Sequence, residues 1–162
     1  MSGPRKLLIN GGLALLIWGM SYGLWFAVFD EHQTLERMGG SLATGFAKAA
    51  ERRLPEAHAA LDTYAATRFE YVREVDVHSH WSGLAMLLIV LGVVFDRVGY
   101  DERKRRGLAA LLLAGSVIFP LGVILQTVDR GPVPLAMAVA GPLMLIVALA
   151  LVAAGFLRRE KR

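Results

Sequence analysis

The stretch RRLPE, from Arg52 to Glu56, carries the one strong turn signal in the polar segment between residues 30 and 80. Pro55 suits the first turn of a helix, because the backbone N–H that proline lacks would have no helical partner there. On both sides of this stretch, apolar residues recur at spacings near three, four and seven, which is the helical pattern. The sequence therefore predicts an antiparallel hairpin of two long helices, over Leu7–Arg52 and Pro55–Val98.

The periodic residues of each helix predict which face it turns towards the other. On the first helix the stripe consists of Val28, His32, Leu35, Leu42 and Phe46. On the return helix it consists of Leu61, Tyr64, Ala65, Val72, Val75, Ser79 and Ser82. We expect these two stripes to pack against each other and to form the interior of the hairpin.

The composition indicates a membrane protein. Hydrophobic residues make up 55% of the 162 residues and the mean hydropathy is +0.47, which is too apolar for an ordinary soluble domain of this size. Four apolar runs, at about 7–29, 78–98, 107–128 and 133–157, are long enough to cross about 30 Å of hydrocarbon as helices. The predicted fold is an all-α integral membrane protein. It is one membrane domain over 1–162, a bundle of four transmembrane helices whose first two extend as the hairpin 30–80.

The distribution of charge predicts the orientation. Arg5, Lys6, the loop 96–106 and the tail 158–162 hold 11 of the 18 basic residues but only 4 of the 14 acidic ones. The positive-inside rule then places both termini in the cytoplasm of a bacterial inner membrane, and the hairpin in the periplasm. The first apolar run is too long for a signal peptide and should remain. The pI of about 9.8 is thus explained by topology, and no nucleic-acid partner is predicted.

The hairpin arrangement predicts that polar residues of its two helices lie at the same height along the helix axes. With a turn near residues 53 and 54, His32 lies level with Val75 and Asp76, and Asp30 lies level with His78. The third apolar run ends near Arg130 on the same side. The layer predicted at the outer membrane surface contains Asp30, Glu31, His32, Glu74, Asp76, His78, His80, Gln126 and Asp129.

Helical rotation separates the two histidines of the return helix. Relative to Val75, His78 lies at about 60° and His80 at about 140°, so they do not share a face. Two sets of candidate ligands follow. The first contains His32, His78 and Glu74, with Asp30 or Glu31 in support, and the second contains Asp76 and His80, facing the third or fourth apolar run.

Imidazole and carboxylate groups together suit a transition metal ion such as Cu, Zn or Fe. An ion fits between adjacent helices, whereas a haem b held by two histidines needs its ligand helices farther apart. Cofactor chemistry leaves both open, with His32 and His78 as the ligands. The alternative is that these residues anchor the helices at the boundary, as Trp81 and Tyr22 do, or cap a helix. His58, far along the hairpin, is predicted to be a surface residue.

The motif DVHSHWSG, from Asp76 to Gly83, carries a resemblance. It resembles the His-x-His that opens a helix in small, uncharacterised bacterial inner-membrane proteins with four spans. It is more distantly similar to the His-x-His helix of the haem–copper oxidases and nitric oxide reductases. Asp76 and His80 also resemble part of the metal motif of membrane copper monooxygenases, but the further histidine of that motif is absent. The resemblance implies a redox-metal context and no particular reaction.

Two functions from different classes follow. The first is a metal- or haem-binding redox or metal-handling component, such as an accessory subunit in electron transport. The second is a non-catalytic subunit whose hairpin docks onto another membrane or periplasmic subunit, or onto a second copy. No nucleophile motif and no charge in the middle of a span points to an enzyme or an ion-coupled transporter. The chain has no cysteine, which excludes disulfides, thiolate metal sites and c-type haem attachment.

Overall fold

A computed structural model describes residues 1–160, the last two by their backbone alone. The tail residues 161 and 162, counted above for the orientation, lie outside the described part. Five α-helices form this part, and it contains no strand. They are α1 (Gly3–Phe29), α2 (Glu31–Ala50), α3 (Leu54–Val94), α4 (Glu102–Leu125) and α5 (Pro132–Glu160), with a short 3-10 turn at Phe95–Arg97 after α3. The all-α prediction is confirmed.

Four of the helices are long and apolar enough to cross a membrane. These are Gly3–Phe29, the helical stretch Leu54–Arg97, Glu102–Leu125 and Pro132–Arg158. Each coincides with most of one predicted run, and the differences lie at the ends, as where the run 107–128 extends past Leu125. The four predicted spans therefore exist as helices.

The chain forms two compact units. The apolar unit contains Met1–Met20 and Asp76–Arg162, and the hairpin unit contains Ser21–Val75. The hairpin unit is longer at its start than the predicted segment 30–80 and ends five residues earlier.

The predicted continuous first helix is wrong at one residue. Asp30 has φ −123° and ψ −36°, and it separates α1 from α2. The backbone hydrogen bonds nevertheless continue across it, from Asp30 N–H to Phe26 O and from Thr34 N–H to Asp30 O. Asp30 Oδ2 accepts from Thr34 Oγ1 one turn later, a local side-chain bond of the kind that aspartate often makes at a helix boundary.

The hairpin turn is a Schellman motif. The N–H of Arg53 donates to Lys48 O at 2.9 Å and that of Arg52 to Ala49 O at 3.0 Å, which satisfies carbonyls at the end of α2. Arg52 occupies the left-handed position at φ 60°. The turn is therefore centred on Arg52, slightly earlier than predicted.

Arg52→Gly should stabilise the hairpin by roughly 0.5–1 kcal/mol, because glycine has no Cβ to strain in the left-handed region. Hydrogen exchange of the amides at the ends of α2 and α3 measures this as slower local opening. Arg53→Gly is the matched control and should not slow it. Equal effects of the two variants would contradict the assignment of the strained position.

Glycines bring the helices of the apolar unit into close contact. A Cβ on Gly12 would lie 2.9 Å from Ala85 O, and one on Gly19 would lie 2.9 Å from Trp81 Cβ, so α1 packs directly on α3. A Cβ on Gly141 of α5 would lie 2.6 Å from the backbone of Phe119 of α4. Small residues at helix contacts are typical of membrane helices, where close backbone packing replaces the hydrophobic effect.

The interior of the hairpin unit differs from the prediction. Its buried positions include Thr34 and Gly45 on α2 and Ala57 and Thr67 on α3. Most of the predicted inner stripe is exposed instead, as Phe46 shows at 69%. The inner face of each helix therefore lies one residue, or about 100°, before the apolar stripe. Small and short polar side chains line this interior because they allow the two helices to approach closely.

Candidate functional site

A pair of carboxyl groups forms the polar centre of the hairpin unit. Asp30 lies at the break between α1 and α2, and Glu74 lies on the inner face of α3, within hydrogen-bonding reach of Asp30. Thr34 Oγ1 donates to Asp30 Oδ2 at 3.1 Å, and Arg37 Nη2 donates to Thr34 Oγ1 at 2.9 Å. Among the residues that the structure describes, none offers a hydrogen bond to the buried Oε2 of Glu74.

The surroundings of Glu74 favour its neutral form. Burial, the charge of Asp30, the hydrogen bond with Asp30 and the charge of Glu70 together raise the pKa of Glu74 to about 7, and Arg37 opposes this only in part. The pair therefore binds a proton near neutral pH. Such perturbed carboxyls occur both at functional sites and in structural networks.

A second polar contact fixes the register of the hairpin. Tyr71 OH donates to Glu31 Oε1 at 3.3 Å, and the ring of Tyr71 lies 6.0 Å from that of Phe26. Partial desolvation and the charge of Glu31 raise the pKa of Tyr71. Glu31 is thus level with Tyr71, about one helical turn from the level that the sequence predicted. The earlier centre of the turn accounts for part of this shift.

His32 points away from the hairpin interior. Its side chain is 84% exposed, and its Nε2 lies 3.2 Å from Glu36 Oε1 one turn along α2. The carboxylate partner of His32 is thus Glu36, a residue that the predicted ligand sets did not contain.

The other two candidate histidines, His78 and His80, lie in the apolar unit, and each bonds to a backbone carbonyl. His78 Nδ1–H donates to Gly19 O at 2.9 Å, and His80 Nδ1–H donates to Asp76 O. The ring of His80 also packs edge-on against that of Phe119 of α4, with the ring centres 4.4 Å apart, so of the two predicted runs His80 contacts the third. A bond from Nδ1 to a carbonyl leaves Nε2 of the neutral ring as the acceptor, which is a common arrangement in ligating histidines.

Two more residues of the predicted layer make local bonds in the apolar unit. Gln126 Nε2 donates to Gly122 O at 3.1 Å, and Gly131 N–H donates to Asp129 Oδ1 at 2.7 Å. Both bonds complete the connection between α4 and α5, so these residues have a structural role here.

The predicted ligands are only partly brought together. The structure joins Asp30 to Glu74, while His32 and His78 belong to different units and have separate partners. No three or more His, Asp or Glu side chains among the described residues are grouped so that they could hold a metal ion. The metal-ion and haem hypotheses, with Asp76 and His80 as the second ligand set, therefore stay predictions.

Four residues of this polar centre and of the neighbouring contact were not predicted from the sequence: Thr34, Arg37, Glu70 and Tyr71. Their signal was a polar periodicity beside the apolar one. Asp30, Thr34 and Arg37 recur at four and three residues, as do Glu70 and Glu74 at four. Residues at these spacings lie on one side of a helix, so this polar pattern predicts a helix face that is distinct from the apolar one.

No protein-family model, curated protein or solved structure matches this chain. No activity of a relative therefore carries over to its residues.

Proposed function

We propose that the protein is a non-catalytic membrane subunit that assembles through its hairpin with a second copy of itself. In this proposal the four apolar helices cross a bacterial inner membrane with both termini in the cytoplasm, and the hairpin stands in the periplasm. The charge distribution and the four apolar helices support this placement. The observation that carries the assembly is an exposed apolar face along the hairpin.

This docking face follows from the antiparallel arrangement. On both helices, each exposed apolar residue comes directly after an inward-facing one, as Phe46 follows Gly45. Because the helices run in opposite directions, the same rotation of about 100° turns both stripes to one side of the hairpin. The docking face consists of Leu35, Gly39, Leu42 and Phe46 of α2, and Leu61, Ala65, Arg68, Val72 and Val75 of α3.

The exposed apolar area calls for a partner. Leu35 is 45% exposed, Leu61 41% and Val72 41%, and like Phe46 they all lie on the docking face. The opposite side carries polar residues, such as Thr44 and Thr63, which bond only within their own helices. Contiguous apolar patches of this kind on soluble surfaces usually mark interaction sites.

Charge on the docking face supports a second copy as the occupant. A two-fold axis parallel to the hairpin places α3 of one copy against α2 of the other at the same height. The register of the hairpin puts Arg68 within about half a helical turn of the level of Glu36, which borders the docking face and is 68% exposed. Each Arg68 would then approach the Glu36 of the other copy, so the face is complementary to itself.

Phe46→Glu should weaken the dimer at least tenfold, because a buried phenylalanine would be replaced by a charge in both copies. Sedimentation equilibrium of the purified protein in detergent measures the dissociation constant. Thr44→Glu, on the opposite side of α2, is the matched control and should leave it unchanged. A wild-type protein that is monomeric in both detergent and nanodiscs would overturn the proposal.

A charge reversal tests the identity of the occupant. Arg68→Glu should weaken the dimer several-fold, and Arg68→Glu combined with Glu36→Arg should restore it, since the pair is re-formed across the two-fold axis. A double variant as weak as the single one would reject the two-fold arrangement.

A further inference from the structure

The loop end of the apolar unit contains two adjoining cavities of different character. A cavity of about 650 Å³ is lined mainly by polar residues, among them Asp96, Asp101, Lys104, Arg105 and Arg158. A second of about 390 Å³ shares three of its lining residues and continues along α4 and α5 between leucine side chains. The shared residues are Tyr100, Lys104 and Arg158. A charged chamber thus opens into an apolar groove.

The loop is held firmly on α5, which fixes the junction of the cavities. Gly99 N–H donates to Gly155 O at 2.9 Å, and Tyr100 OH donates to Leu151 O at 3.1 Å. The guanidinium of Arg158 lies 5.4 Å from the centre of the Tyr100 ring. The tyrosine therefore positions this cation at the entrance to the groove.

The chamber is basic although two carboxylates line it. Asp101 lies 3.4 Å from Lys104 Nζ and accepts the backbone N–H of that lysine at 2.8 Å. Asp96 lies 3.6 Å from Arg105 and 3.6 Å from Arg5, and it also accepts from Ser2. Each carboxylate thus lies beside at least one cation. With Arg158, the lining has three cations and two carboxylates, so its net charge is positive.

The groove is lined by apolar side chains, as the binding of an acyl chain requires. Leu108 and Leu111 of α4 and Leu151 of α5 line it, and Leu151 is 44% exposed. A free phosphate would use only the charged chamber, whereas a phospholipid uses the chamber for its headgroup and the groove for a chain. Both features together favour the lipid.

We propose that the junction of the α3–α4 loop with α5 binds one anionic phospholipid, with its phosphate at Lys104, Arg105 and Arg158 and an acyl chain along Leu108, Leu111 and Leu151. The proposal rests on the proposed insertion of the helices into a membrane. It does not depend on the dimer, because every residue that it names lies in the apolar unit. Basic sites between helices on the cytoplasmic side are suited to anionic headgroups.

Native mass spectrometry of the detergent-purified protein tests this site with phosphatidylglycerol and phosphatidylcholine of the same acyl chains. The wild type should retain phosphatidylglycerol at least fivefold better. Arg158→Gln should remove most of that preference. Arg103→Gln, in the first turn of α4 but outside the lining of both cavities, removes an equal charge and should preserve the preference. Equal retention of the two lipids, or equal loss in both variants, would overturn the proposal.

Further measurements distinguish a lipid site from a free-phosphate site, and a failure of the lipid site from a failure of the membrane placement. Leu151→Trp should fill the groove and reduce retention of phosphatidylglycerol several-fold. In a competition experiment, displacement of the lipid by inorganic phosphate would show that the site binds free phosphate and would reject the lipid. Resistance of the protein to alkaline carbonate extraction from membranes reports insertion on its own. An inserted protein without lipid preference therefore rejects this site alone, and an extracted protein rejects the membrane placement.

Discussion

Gly122→Ala should destabilise the apolar unit by about 3 kcal/mol, the largest effect of a single methyl group that we expect in this chain. The new Cβ would lie 2.7 Å from the carbonyl carbon of Met137 and would meet the backbone nitrogen of Ala138. Backbone atoms of a packed helix cannot move aside as the end of a side chain can, so α4 and α5 must separate. Separation would also remove the contact at Gly141, where the backbone of Phe119 is equally close.

Unfolding in mixed detergent and dodecyl sulfate, followed by circular dichroism, measures this loss. Gly107→Ala is the matched control because it lies in the same helix and has nothing within 4 Å of the new Cβ. Alanine there should stabilise the helix by roughly 0.5–1 kcal/mol. If the two variants changed the free energy of unfolding alike, α4 and α5 would not pack through Gly122.

The four apolar helices and their approximate spans followed from hydropathy alone. Long apolar runs leave few alternatives to helices, because a chain of this composition must satisfy its backbone hydrogen bonds within each segment. The turn of the hairpin was also predictable, since RRLPE holds both the proline and the end of a regular pattern. The helix break at Asp30 was not, because a single residue left helical geometry while the hydrogen bonds continued.

The inner face of the hairpin could not be read from hydrophobicity. Periodicity shows that one side of α2 is apolar, but it does not show which molecule covers that side. The rule that apolar faces turn inward predicted an interior with Leu35 and Phe46, whereas the structure places Thr34 and Gly45 there. In our proposal the apolar side is covered by a second copy, so the rule would hold for the assembly and fail only for one chain.

The same rotation explains why the structure brings only some of the predicted ligands together. A site built on the predicted inner stripe takes His32 as a ligand and treats Asp30 as support. Turning α2 by about 100° exposes His32 and brings Asp30 to Glu74. The level of the polar layer was predictable to about one turn, whereas the choice of residues within it depended on rotation.

Glu74→Gln should abolish a pH dependence in the stability of the hairpin. The pKa of Glu74 is raised from 4.5 in the unfolded chain to about 7 in the folded protein, so the folded state binds more protons between these values. Stability from this group is complete below pH 4.5, falls as the pH rises towards 7 and stays low above it. Because Glu74 is only partly buried, solvent screening limits the loss to roughly 1–2 kcal/mol.

Glutamine resembles the protonated acid, since its amide can still donate to Asp30. The variant should therefore match the wild type near pH 5 and exceed its stability at pH 8. Hydrogen exchange of the amides around Asp30 and Glu74, corrected for the intrinsic rate at each pH, measures the difference. Asp62→Asn removes an exposed carboxylate of α3 and should keep the wild-type dependence. A wild type whose local stability does not change between pH 5 and 8 would mean that the pair holds no proton in this range.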